Sequence, residues 1–146
     1  MQAQQYRELV KKKKPTRNSF KNMFWAFIIG GAICALGQVF LDIATALEQT
    51  KAEASAVTLA AMILLGTILT GLGVYDEIAE LGGAGAAVPI TGFANTVTSA
   101  AMEFKREGAI LGMGSKMFII AGPVIVYGIL SGFFVALIKS IVLGLF

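Results

Sequence analysis

The sequence predicts an all-α membrane protein with three transmembrane helices, a Gly/Pro-broken re-entrant segment and an amphipathic helix. Three observations carry this. Apolar residues make up 56% of the 146 and charged ones only 14%, against roughly 45–50% and about 25% in soluble domains. The mean hydropathy is +0.76, and so short a chain has too little interior to hide that much apolar surface from water. The apolar residues also gather into three stretches of about twenty, the length that crosses a bilayer, while a fourth is interrupted by glycine and proline.

Residues 1–22 read as a basic cytosolic tail, and residues 23–146 as a single transmembrane domain. In the tail, Arg7, Lys11, Lys12, Lys13, Lys14, Arg17 and Lys21 face one acid, Glu8, a net +6 in a chain whose total is +3. Such a run anchors to membrane lipid, contributing about 1 kcal/mol per basic residue on anionic headgroups. No nucleic-acid partner is expected, because the run is short and Tyr6 is its one interior aromatic, too few for a stacking series.

The first span is read at about 23–41. It reaches about 28 Å at 1.5 Å per residue, and Trp25 lies near its start as an interfacial anchor. It is too long for a cleaved signal, and further spans follow. Gln38 is its one strongly polar residue and is expected to hydrogen-bond to another helix. Cys34 is a small apolar filler. Asp42 to Ala54 is a polar connection, and the second span is read at 55–75, charge-free throughout. Asp76, Glu77 and Glu80 then form an acidic cluster, read as a cation-attracting mouth, as oxygen ligands for Ca²⁺ without EF-hand spacing, or as a solvated edge.

Leu81 to Met102 carries no charge, yet it holds Gly82, Gly83, Gly85, Pro89 and Gly92. Broken backbone is tolerated at membrane depth only where protein buries it or water lines it. The reading is a re-entrant segment and helix over about 81–106: an apolar descent, a turn at Thr91-Gly92, and a helix from Phe93 to about Arg106. Phe93, Val97, Ala100 and Phe104 would form its packed face. Thr91, Asn95, Ser99 and Glu103 recur at i+4 on another face, either lining a wet path or bonding to a neighbouring helix. Gly108 to Lys116 is a glycine-rich connection. The last span is read at 117–137, kinked at Pro123, with Lys139 snorkelling to the interface. Gly128 and Gly132, like Gly108 and Gly112, have the GxxxG spacing of close helix packing.

With three spans and a re-entrant segment, ten basic residues share the N-terminal side and only Lys51 and Lys139 lie opposite. A full fourth crossing would reduce that to eight against four. The positive-inside rule favours the first arrangement, with the N-terminus cytosolic. The chain has no histidine and one cysteine, so Ser–His and Cys–His catalysis, an internal disulfide and a thiolate zinc site are excluded. No enzyme activity, catalytic residue, metal or cofactor is expected.

The stretch from Gly82 to Gly108, GGAGAAVPITGFANTVTSAAMEFKREG, resembles the small membrane subunits of the stage V sporulation A (SpoVA) family, whose AC and AEb types carry a GGAGA/T-VPxTGF core. Phe93-Ala94-Asn95, Thr98 to Ala101, and Glu103, Lys105, Glu107 and Gly108 look like the AC type. So do Phe24 to Gln38 (FWAFIIGGAICALGQ) and Ile120 to Val126. The resemblance covers nearly the whole chain after the tail. It implies a channel subunit of the forespore or spore inner membrane that moves dipicolinate, often as its calcium chelate, into the developing spore and out at germination. Tension gating, and oligomers with AD and AEb partners, are further implications. It supplies no catalytic residues; the matched motif, Gly82 to Gly92 with Asn95, is where the solute path is expected. Dipicolinate is a flat dianion, and bare charge at the bilayer centre is costly. Three spans cannot enclose a pore for it, so a homo- or hetero-oligomer is expected.

Overall fold

The computed structural model describes Val10, residues 19–47 and residues 49–143. In chain order these form α1 (Ser19–Ala46), α2 (Lys51–Gly71), α3 (Tyr75–Gly82), α4 (Ala84–Ala87), α5 (Ile90–Glu103), a 3-10 turn (Lys105–Glu107), a π-helical turn (Ala109–Gly114) and α6 (Ser115–Val142). The fold is all-α, and three helical runs are long and apolar enough to cross a membrane: Ser19–Ala46, Lys51–Gly71 and Ala109–Val142. Of the basic tail, Arg7, Glu8, Lys11 to Lys14 and Arg17 lie outside the described residues, whereas Lys21 belongs to the first turns of α1.

α1 turns one narrow stripe inward. Ala26, Gly30, Ile33, Gly37, Phe40 and Ala44 recur at alternating steps of four and three and, with the flanking Trp25, Ile29 and Leu41, are its half-buried or buried positions, while the other side chains are exposed. That spacing tracks one helix face, and its small residues let α2 and the short helices approach closely. Gln38 is not on this stripe. Its amide donates to Asp42 Oδ1 at 2.8 Å, so the expected bond to another helix is instead made one turn along the same helix. The reach from i to i+4 puts a carboxylate nearer than any neighbouring backbone.

α2 begins on a capping box. Thr50 Oγ1 accepts from the Glu53 amide, and the Glu53 carboxylate accepts from the Thr50 amide at 3.0 Å; both end bonds spare α2 an unsatisfied donor. It stops at Gly71, short of the expected Tyr75, for a reason visible in the local sequence. Gly73 adopts φ 73°, and the Gly73 and Val74 amides donate back to the Thr70 and Leu69 carbonyls at 3.0 and 2.9 Å. This is a Schellman stop, which favours glycine at the left-handed position.

The glycine-rich segment folds as three short helices. α3, α4 and α5 have 8, 4 and 14 residues, so the longest spans only about 21 Å at 1.5 Å per residue. They pack on α1 at Ala26, Ile29 and Gly30 and on α2 at Gly66. The turn is not at Thr91-Gly92, which lie inside the first turn of α5. It falls one step earlier, where Pro89 is extended (φ −61°, ψ 163°) and caps α5. Proline fixes φ and lacks an amide, which suits the start of a helix rather than its interior. α5 ends at Glu103, and Gly108 at φ 98° redirects the chain.

The expected connection at 108–116 is helical instead. The Met113 amide donates to the Gly108 carbonyl at 2.9 Å, a five-residue step, and the turn runs directly into α6. Gly112 is the residue that permits it, since a Cβ there would lie 2.5 Å from Glu107 Cβ. Lys116 Nζ lies 4.8 Å from the Phe104 ring centre, tying α6 to the end of α5. Below Ala121, α6 has almost no cover from this chain: every residue from Pro123 to Leu143 except Leu137 and Ser140 is exposed. Pro123 sits within it and removes the bond that Ile119 O would accept.

Two glycines make a matched pair for a stability test. A Cβ at Gly85 would run into the Ala26 carbonyl, while one at Gly128 meets nothing within 4 Å. Gly85→Ala is expected to destabilise the protein by about 1–3 kcal/mol through forced backbone separation. Gly128→Ala is expected to be neutral or to stabilise by up to about 1 kcal/mol. Thermal unfolding of the two variants in the same detergent checks the contrast.

Candidate functional site

The broken segment is held by one buried aromatic residue. Tyr75 is 2% exposed. Its hydroxyl donates to the Ala86 carbonyl of α4 and lies 2.8 Å from Thr91 Oγ1, whose proton it accepts. One side chain thereby links α3, α4 and the first turn of α5. Thr91 is 1% exposed and is the most deeply enclosed large side chain described. Both hydroxyls would be costly to bury without partners; here each satisfies the other.

Close backbone contact surrounds this link. A Cβ at Gly66 would stand 2.9 Å from Thr91 O and 3.1 Å from Thr91 Cα, so α2 carries a glycine where α5 crosses it. A Cβ at Gly92 would collide with the Ala86 and Ala87 carbonyls, and one at Gly82 would press on Ile29. Small residues thus serve as contact points in the chain's own packing, at Gly30, Gly66, Gly82, Gly85 and Gly92. Gly83 differs: it is exposed, has φ 49°, and has open space where a Cβ would stand.

A second polar link follows along the α2–α5 contact. The Thr70 hydroxyl is shared between Gly66 O at 2.7 Å and Asn95 Oδ1 at 2.8 Å. Thr98 and Thr67 face each other at 3.4 Å. Such side-chain bonds between packed helices are typical of membrane interiors, where they substitute for water.

The expected polar stripe therefore divides. Thr91 is buried and Asn95 half-buried against α2 and α3, whereas Ser99 and Glu103 are exposed. The cause is helical drift: steps of four overshoot a 3.6-residue turn by about 40° each, so the stripe rotates by about 120° from Thr91 to Glu103. Of the expected apolar face, Ala100 is buried and Phe93, Val97 and Phe104 are half-buried, while Thr91, Gly92 and Ala94 are the other buried positions. Small and hydroxyl side chains rather than bulky ones let α5 approach α2.

Asp76, Glu77 and Glu80 are exposed on α3. Among the described residues, no group of three His, Cys, Asp or Glu side chains converges to hold a metal ion. Tyr75 and Thr70 were not among the site residues expected from sequence. A signal for Tyr75 existed: Tyr75, Ile78, Ala79 and Gly82 stand at i, i+3, i+4 and i+7, the inward face of a short amphipathic helix.

The protein-family model described as SpoVAC/SpoVAEB sporulation membrane protein matches residues 22–138. The chain is also similar to Stage V sporulation protein AC of Bacillus subtilis (strain 168), 42% identical over 138 residues, covering 92% of this chain and 90% of that one. No solved structure matches.

The Thr70–Asn95 link is testable by a double-mutant cycle. Thr70→Val and Asn95→Ala should each destabilise the fold by about 1 kcal/mol. The double variant should lose less than their sum, because the two side chains share one bond. Thermal unfolding in detergent reads the coupling, and full additivity would remove the bond.

Proposed function

This chain belongs to the SpoVAC/SpoVAEB family of sporulation membrane proteins, and on that premise we propose that it is a pore-forming subunit of a dipicolinate channel. The channel fills the developing spore, releases the solute, with or without calcium, at germination, and opens under membrane tension. It sits in the forespore inner membrane with its N-terminus cytosolic, among anionic lipid and in an oligomer with AD- and AEb-type subunits.

The observation that carries this reading is a broken segment, charge-free over residues 81–102, packed on spanning helices by backbone contact. Its contact points, Ala26 and Gly30 of α1 and Gly66 of α2, lie about 8–16 Å from the ends of those helices on the N-terminal side, at 1.5 Å per residue. None of its three helices is long enough to cross alone, which supports a re-entrant course over about 81–106. Segments of this kind in transporters present backbone donors and hydroxyls to a solute. Without a fixed cation among residues 81–102, a dianion would meet dipoles rather than a trap, as conduction requires. Ser99 and Glu103 are the stripe residues exposed to such a path, while Thr91 and Asn95 brace it; Asp76, Glu77 and Glu80 rim it.

The bracing also favours a second reading, in which the chain is a structural or tethering subunit and its partners form the path, because Thr91 and Asn95 are already engaged within the chain. Spores of the source organism lacking the gene should contain little dipicolinate by terbium luminescence under either reading. Ser99→Leu separates the two. Its side chain is exposed, so assembly should survive and co-purification with the partner subunits should be unchanged. A pore-forming role then requires uptake to fall several-fold, and normal uptake in that variant would leave the tethering reading.

A further inference from the structure

We propose that α3 is a hinged arm that closes the broken segment, with the Tyr75 hydroxyl as its latch; its regulatory role rests on the channel reading above. Each end of α3 adjoins a glycine with positive φ, Gly73 at 73° and Gly83 at 49°, and a Cβ at either would meet nothing within 4 Å. Neither junction is packed on its Cβ side; each is held by local backbone hydrogen bonds, Gly73 and Val74 to Thr70 and Leu69 and Gly83 to Ala79, and glycine tolerates a change of φ there without a Cβ clash. Between them α3 is two-faced. Tyr75, Ile78, Ala79 and Gly82 turn inward, and Asp76, Glu77 and Glu80 are exposed.

The inward face is held by two unlike contacts. Gly82 packs on Ile29 of α1, a smooth apolar contact. Tyr75 makes the directional one, and among the described residues its two bonds are the only side-chain hydrogen bonds from α3 to another helix. When the phenol withdraws, the Ala86 carbonyl and the Thr91 hydroxyl lose their partner together. They can be satisfied by water or by a polar solute. The movement that frees the arm therefore also exposes polar groups at the start of α5, within the segment assigned to the path. Closed, the same groups are sealed by an aromatic ring.

Tyr75→Phe removes both latch bonds and keeps the ring that fills the site; Thr91→Val removes only the bond to Thr91, with little change in shape, and leaves the one to Ala86. Hydrogen exchange of the full chain in lipid nanodiscs is the first readout. Thr91→Val should raise exchange of amides 75–92 by about tenfold, the size of shift one buried hydrogen bond supports, and Tyr75→Phe by at least as much, with residues 30–46 of α1 unchanged. Exchange at 75–92 equal to the wild type in a folded variant overturns the latch. Spores carrying Tyr75→Phe, at normal protein level, should release dipicolinate earlier or at a weaker stimulus. Unchanged release despite raised exchange overturns the regulatory role and leaves a mechanical arm. Spores lacking the gene that load and release dipicolinate normally would instead refute the channel reading, and exchange alone would then decide the latch.

Discussion

Backbone that leaves the helical ladder between spanning helices has no bulk water to satisfy it. In this chain, that constraint falls on residues 82–92, and the rest of the structure is arranged around it. The Ala86 and Ala87 amides turn back to the Gly83 carbonyl at 3.2 and 3.1 Å, and the Gly92 amide to the Pro89 carbonyl at 2.8 Å. Ala86 O takes the Tyr75 hydroxyl. Local turns alone could not do this if bulky side chains held the helices apart. Glycines at positions 30, 66, 85 and 92 let carbonyls and Cα atoms of one helix meet those of the next, so protein stands where lipid would otherwise lie. The small residues of the motif are therefore explained first as contact points within the chain.

Much of this was legible in the sequence, and the reasons for the misses are specific. The three spanning helices follow from apolar runs whose composition is hard to misread. Their ends do not. The stop at Gly71 depends on Gly73 entering the left-handed region, while the apolar run continues through Val74 to Tyr75. The π-helical turn at 109–114 looks like a linker because Gly108, Gly112 and Gly114 suggest flexibility; here one of them makes room for Glu107. The segment at 81–102 was recognisable as broken, because proline and glycine are local facts. Where it turns was not, since that is decided by which glycine sits under which carbonyl. The polar stripe was real as a pattern but wraps around α5, so its two ends face different surroundings.

Packing is unevenly distributed, and this bears on how the molecule works. The ordered contacts concentrate at the N-terminal-side ends of α1 and α2, where α3, α4 and α5 dock. The last helix is tied to that cluster near its start, through Lys116, Phe104 and the turn before it, and its remaining length is mostly exposed and, apart from Tyr127, Ser131, Lys139 and Ser140, apolar. A chain built this way has one closely packed module and one span joined to it through a short stem. α6 meets the end of α5, and α5 runs back from there to Thr91. Thr91 is bonded to Tyr75, the first residue of α3. The bare span and the polar link in the broken segment are thus joined by a single helix of 14 residues, with no glycine between Phe93 and Glu103 to let one move without the other.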